Sequence, residues 1–212
     1  MKSKKTNKKL VVISPPVNLR DERQRVKQLM EAGLEFFHVR KPEFNRRDTE
    51  QYLREYPWDM RKKMILHHDY DLVEPYDLRG IHITGRNKEL GYEAAGLNKH
   101  ISISCHHTAE LANLGRNYTY AFLSPVLNSL SKQEYPSAFE FSGLKKFFRE
   151  NKKLPPVIAL GGIHPSCLGQ IQGIGFSGVA LLGAIWPELS NKSDEHSPLN
   201  NFIQIQKLIE AL

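Results

Sequence analysis

Short apolar runs alternate with amphipathic stretches along almost the whole chain. The first run, Leu10-Val11-Val12-Ile13, precedes a stretch over 21–32 in which Val26, Leu29 and Met30 fall at i, i+3 and i+4, and Gly33 supplies a stop. That pairing reads as one β-strand and one α-helix. The first strand is predicted at 10–14, and seven more at 36–40, 64–67, 80–83, 100–104, 118–123, 156–160 and 178–182. Helices are predicted at 48–56, 108–114, 142–150, 165–172 and 201–212, with weaker signals at 71–76 and 89–95. Leu144, Phe147 and Phe148 share a face in one of them, and Ile205, Leu208, Ile209 and Leu212 share a face in the last. The runs at 156–160 and 178–182 are apolar throughout rather than alternating, which is the pattern of parallel strands covered on both faces. Eight strand–helix units predict an α/β fold, a single-domain (β/α)8 TIM barrel over 10–212, with a polar loop at 187–198 before the closing helix.

Length and composition agree with one such domain. A chain of 212 residues buries roughly 70% of its unfolded surface, so it folds without a disulfide or a structural metal. Its two cysteines, Cys105 and Cys167, give neither a disulfide framework nor a zinc spacing. There is no apolar run long enough for a membrane span and no signal-peptide pattern, so the expectation is a cytoplasmic protein with no membrane partner. The net charge of +7 first suggests nucleic acid, but five lysines (Lys2, Lys4, Lys5, Lys8 and Lys9) account for most of it. Residues 1–9 read as a disordered, solvated basic tail. Without aromatic or helix-turn-helix support, no nucleic-acid partner is expected.

Barrel chemistry sits at the C-terminal ends of the strands, and the polar residues gather there. They read Arg40-Lys41, His67-His68-Asp69, His82, Ser104 with His106-His107, and Ser124. Two buried runs near the C-terminus each end in glycine, at Gly161-Gly162 and at Leu182-Gly183. Consecutive loops of that kind bare backbone amides toward an anion, so they are the expected phosphate anchor. Arg40 and Lys41 add two cations suited to phosphate or pyrophosphate. The long loop after the sixth strand carries Ser129, Ser131 and Lys132, two hydroxyls and an ammonium close together, and its length suits a lid. Cys105 is expected to face outward and not to act as a nucleophile, because neighbours on a strand point opposite ways.

Six of these segments, in order and spacing, resemble the thiamine-phosphate synthase and TenI family of thiamine-biosynthesis barrels. Members carry Arg-Glu-Lys after the second strand, here Arg40-Lys41-Pro42, and Asn-Asp after the third, here His68-Asp69. They carry Gly-Val-His-Leu, here Gly80-Ile81-His82-Ile83, and Ser-x-His, here Ser104-Cys105-His106. The Gly-Pro-x-x-x-Thr-x-Thr-Lys loop stands as Ser124-Pro125 with Ser129-Leu130-Ser131-Lys132, and Ala-Ile-Gly-Gly-Ile as Ala159-Leu160-Gly161-Gly162-Ile163.

The resemblance implies a phosphorylated thiazole substrate and one of two chemistries. Synthases couple it to hydroxymethylpyrimidine pyrophosphate, expelling pyrophosphate held by Mg²⁺ on two aspartates. TenI proteins instead move a proton to aromatise thiazole carboxylate phosphate, with no cofactor. Here the first aspartate is Asp69 and the second position falls on Asn87, next to Arg86. Replacing a carboxylate by an amide weakens a Mg²⁺ site. The expectation is therefore a TenI-type thiazole tautomerase with His106 as the catalytic proton shuttle. His68, His82 and Ser104 are expected to line the cavity beside it, and Asp69 to be a vestigial Mg²⁺ ligand. The alternatives are thiamine-phosphate synthase and a catalytically silent ligand-binding or regulatory protein. Association into a homo-oligomer is left open.

Overall fold

The computed structural model describes residues 8–85, 99–115, 117–127, 139–189 and 197–211. Eight parallel strands close into a barrel in sequence order. They are β1 (Lys9–Ile13), β2 (Phe36–Val39), β3 (Met64–Leu66), β4 (Gly80–Ile83), β5 (His100–Cys105), β6 (Tyr120–Leu123), β7 (Val157–Leu160) and β8 (Gly178–Leu181). Closure is made by β1 against β8, with Lys9 opposite Gly178 and Val12 opposite Leu181. The (β/α)8 expectation is therefore met.

Helices α1 (Glu22–Glu31), α2 (Arg46–Arg54), α3 (Trp58–Arg61), α4 (Thr108–Ala112), α5 (Phe141–Glu150), α6 (Leu168–Ile171) and α7 (Pro198–Leu208) pack outside the described strands. Their boundaries follow local chemistry. Helix α2 starts before the predicted 48 because Asn45 and Asp48 form a reciprocal capping box. Helix α7 starts before the predicted 201 because the Ser197 side chain accepts from the Asn200 amide and Pro198 fits the first helical position. Helix α3 was not expected; it begins after Pro57, whose extended backbone starts the turn. The weak signal at 71–76 is a single 3₁₀ turn, Tyr70–Leu72, and the predicted helix at 89–95 lies outside the described residues.

Strand parity divides the interior in two. Val12, Phe37, Val39, Met64, Leu66, Ile81, Ile103 and Val179 face the helices and join Val26, Leu29, Leu53 and Leu144 in the larger apolar layer. Val11, Ile13, Tyr120, Phe122, Ile158 and Ala180 form a smaller cluster inside the barrel. Phe36, Leu160 and Leu182 pack against this inner cluster, and the buried rings of His38 and His82 lie against Phe122 within it. The basic segment departs from the expected tail boundary: Lys9 opens β1, and Lys8 Nζ donates to the Phe176 carbonyl oxygen at 2.8 Å. Residues 1–7 lie outside the described residues.

Candidate active site

Two glycine loops form one side of the barrel mouth, and the packing beneath them is specific. After β7, Gly161 and Gly162 have φ of 98° and 67°. A Cβ on Gly161 would lie 2.9 Å from Pro125, so this glycine is required by the fold. Leu127 N donates to Gly161 O at 3.2 Å, and Cys167 Sγ to Gly162 O at 3.3 Å. After β8, Leu182 O accepts from Ile185 N and Trp186 N, both at 3.0 Å, making one helical turn. Three distant groups fix that turn: Trp186 Nε1 donates to Ile13 O at 2.7 Å, Asn201 Nδ2 to Ala184 O at 3.0 Å, and Arg25 to Ile185 O at 3.1 Å. Among the described residues, no backbone carbonyl accepts from the amides of Gly162, Gly183 or Ala184. Gly183 differs from Gly161, because a Cβ there meets nothing within 4 Å and its φ is not left-handed. The fold does not need a glycine at 183, whereas a closely approaching anion does.

The opposite side is built by β2 and β3. Arg40 follows β2 and is exposed; its amide is held by Ser14 Oγ at 2.8 Å. Lys41 was expected beside it as a second cation, and the structure places it elsewhere. It points outward, fully buried, with Nζ 2.6 Å from Glu22 Oε2 and 2.9 Å from Val17 O. Neighbouring residues of an extended chain diverge, so only one of the two serves the mouth. Burial lowers the Lys41 pKa, and the bond to Glu22 opposes that shift.

Asp69 follows β3 in a left-handed conformation, φ 51°. Its Oδ2 accepts from Thr49 Oγ1 at 2.7 Å and from His68 Nδ1 at 2.9 Å. His68, expected to line the cavity, is thus engaged with Asp69, and His67 takes the inward position. The second acidic position, Asn87, and the loop residues Ser129, Ser131 and Lys132 lie outside the described residues.

His106 stands at the end of β5, exposed, with its amide bonded to Glu110 Oε2 at 2.6 Å. Its Nδ1 is 3.0 Å from Ser124 O. A carbonyl only accepts, so Nδ1 carries a proton, and in the neutral ring the lone pair is on Nε2. Cys105, its neighbour, is buried in the outer apolar layer as parity requires.

Below the mouth His82 and Ser104, both expected in the cavity, meet, Nε2 to Oγ at 2.7 Å, and His82 Nδ1 is 2.9 Å from Ser102 Oγ, a partner the sequence reading did not name. His38 Nδ1 lies 3.0 Å from His67 Nε2, and His38 Nε2 bonds the Tyr120 hydroxyl. Burial first, then the neighbouring imidazoles, pushes His38 well below the usual histidine range. Burial, His82 and Arg40 do the same to His67. His82 and His100 fall to about 3, chiefly through burial, with His100 and then Arg40 adding to it at His82, and Arg79 and Lys9 at His100. His38 and His100 were missed as interior groups. The signal was parity, since His38 sits two residues before Arg40.

A closed eight-stranded barrel with free amides after β7 and β8, a cation after β2 and a carboxylate after β3 is an enzyme-type barrel whose mouth has the chemistry suited to anionic groups. The family model described as thiamine monophosphate synthase (TMP-TENI) matches residues 10–185, and the chain belongs to this family. It is 24% identical to the thiamine-phosphate synthase of Limosilactobacillus fermentum over 170 residues, 76% of this chain and 79% of the relative. It is also 24% identical to that of Oceanobacillus iheyensis over 174 residues, covering 78% and 84%. A solved thiamine phosphate pyrophosphorylase from Bacteroides thetaiotaomicron superposes with a TM-score of 0.77 at 29% identity, covering 95% of this chain and 98% of that one. No described helix is long and apolar enough to cross a membrane.

Proposed function

We propose that this member of the family carries out the coupling reaction of a thiamine-phosphate synthase, joining a pyrimidine pyrophosphate to a thiazole phosphate with release of pyrophosphate. This reverses the ranking drawn from the residues alone. The observation that carries it is the placement of two anion-handling groups across one mouth. In the closed strand order, β3 stands four strands from β7, on the opposite side of the ring. The thiazole phosphate binds the amides of Gly162, Gly183 and Ala184. The pyrophosphate takes the Arg40 and Asp69 side. A reaction with one phosphorylated substrate needs only the first of these. The relatives named above, all called thiamine-phosphate synthase or pyrophosphorylase, support the same reading.

The donor set suits Mg²⁺ in a limited way. Asp69 Oδ2 is occupied by Thr49 and His68, which leaves Oδ1 as a hard oxygen, and Mg²⁺ is commonly held by one or two carboxylates plus substrate phosphates. When bound, the ion supplies charge neutralisation for the departing pyrophosphate. The remaining work falls to the chain. Arg40 orients the leaving group, the glycine loops fix the thiazole, and holding both partners in line converts a bimolecular encounter into an intramolecular one.

A second reading, the tautomerase, is favoured by one observation: the Ser124 carbonyl sets His106 in the tautomer with a basic Nε2. Product analysis separates the two. Coupling requires that both synthase substrates with Mg²⁺ yield thiamine phosphate and pyrophosphate. Aromatisation of thiazole carboxylate phosphate without any coupling would establish the tautomerase instead.

A further inference from the structure

The steps proposed above for the coupling reaction use none of the buried histidines below the mouth. His38, His67 and His82 project into the barrel from β2, the end of β3 and β4, and are 0%, 7% and 0% exposed. One ring nitrogen from each lies within 4.8 Å of the other two. We propose that this trio binds a late first-row transition-metal dication such as Zn²⁺, at a site separate from the Asp69 side of the mouth.

Ligand chemistry selects the class of ion. Three imidazoles without a carboxylate suit Zn²⁺, Co²⁺ or Ni²⁺ and not the hard ions Mg²⁺ or Ca²⁺. Bonds of about 2.0–2.1 Å put the nitrogens of a tetrahedral site about 3.3 Å apart. His38 Nδ1 and His67 Nε2, at 3.0 Å, are already close to that spacing. His82 closes the set by a ring movement of about 1–1.5 Å, the difference between 4.8 Å and that spacing.

The surroundings are those of held ligands. A metal-bound imidazole is normally oriented by a hydrogen bond from its other nitrogen. His38 has that partner in the Tyr120 hydroxyl. His82 has a serine hydroxyl on each side, Ser102 at Nδ1 and Ser104 at Nε2, so whichever nitrogen turns to the metal, the other stays bonded. Three protein ligands leave a fourth position open, as in zinc sites that keep a water.

The test uses the full chain, freed of metal with a chelator and dialysed. Titration with Co²⁺ alone should give the visible absorption of a tetrahedral ion, saturating at one equivalent and displaced by Zn²⁺. His67→Asn and His82→Asn should each weaken binding at least tenfold, while His107→Asn, at an exposed position, should leave it unchanged. Because a core histidine variant can fail to fold, the unmodified chain supplies a second readout. Its Tm should rise with Zn²⁺ at concentrations where Mg²⁺ has no effect. Absence of one-equivalent binding by the unmodified chain, or binding that survives both variants, would show the trio to be a hydrogen-bonded core and nothing more.

Discussion

Replacing Gly183 by valine separates a glycine kept for the ligand from one kept for the fold. A Cβ at 183 meets no atom within 4 Å, so Gly183→Val should leave stability within about 0.5 kcal/mol, as at an ordinary surface position. The isopropyl group would stand where an anion approaches the amides of Gly183 and Ala184. A hydrogen bond to a charged group contributes roughly 1.5–3 kcal/mol. Losing one predicts a ten- to hundredfold rise in KM for the thiazole phosphate, at about 1.4 kcal/mol per factor of ten. The turnover number should change little, because the phosphate is bound equally in the ground and transition states. Gly161→Val should behave in the opposite way. Its φ of 98° and its 2.9 Å approach to Pro125 make the substitution strained, at a cost on the order of 1–3 kcal/mol in folding. The assay pairs thermal unfolding with KM measured at saturating second substrate. If Gly183→Val kept the parental KM, the phosphate would not lie on these amides and the anchor would have to be sought elsewhere.

Lys41→Met leaves Glu22 buried without its cation, and breaking such a pair should destabilise the chain by about 3–5 kcal/mol in denaturant titration; a loss of activity without loss of stability would return Lys41 to the binding surface. Acid should unfold the protein early: His38, His67, His82 and His100 all titrate lower in the folded chain than the unfolded value of about 6.5. The unfolded state therefore binds more protons below that pH, and stability falls by up to about 1.4 kcal/mol per pH unit for each ring. For His82 and His100 the loss continues as the pH falls toward about 3, so stability should decline steadily on acidification; a flat stability profile from pH 7 to 5 would contradict the buried neutral cluster. Asp69→Asn should reduce coupling at least tenfold and weaken its Mg²⁺ dependence, whereas His106→Gln should spare coupling and abolish any tautomerisation; the reverse pattern would favour the second reading.

The eight strands were legible because each is a short run rich in apolar residues, continuous in the clearest cases, Val157–Leu160 and Gly178–Leu181. That same continuity hides which residues face inward. A strand buried on both sides offers no alternation, so Arg40 and Lys41 looked equivalent, as did His67 and His68. Register resolves both pairs: Ile13 opposite His38 and His38 opposite Ile65 fix the parity of β2 and β3. The two glycine loops at the mouth were readable from the sequence, but their different needs were not. Pro125 explains Gly161, and nothing in the unliganded fold explains Gly183. The buried trio escaped notice because His38 sits in mid-strand, where an apolar residue is the ordinary occupant.

The central claim is that the mouth holds two anion subsites at once, one on β7 and β8 and one on β2 and β3. Calorimetry with the protein already saturated in thiazole phosphate tests it most directly. Pyrophosphate added with Mg²⁺ should still bind, with one further equivalent and an affinity equal to or better than that of the free protein. Asp69→Asn should weaken that second event, and Gly183→Val the first. Pyrophosphate that binds only by displacing the thiazole phosphate would reduce the mouth to a single anion site and contradict the coupling reaction proposed for it.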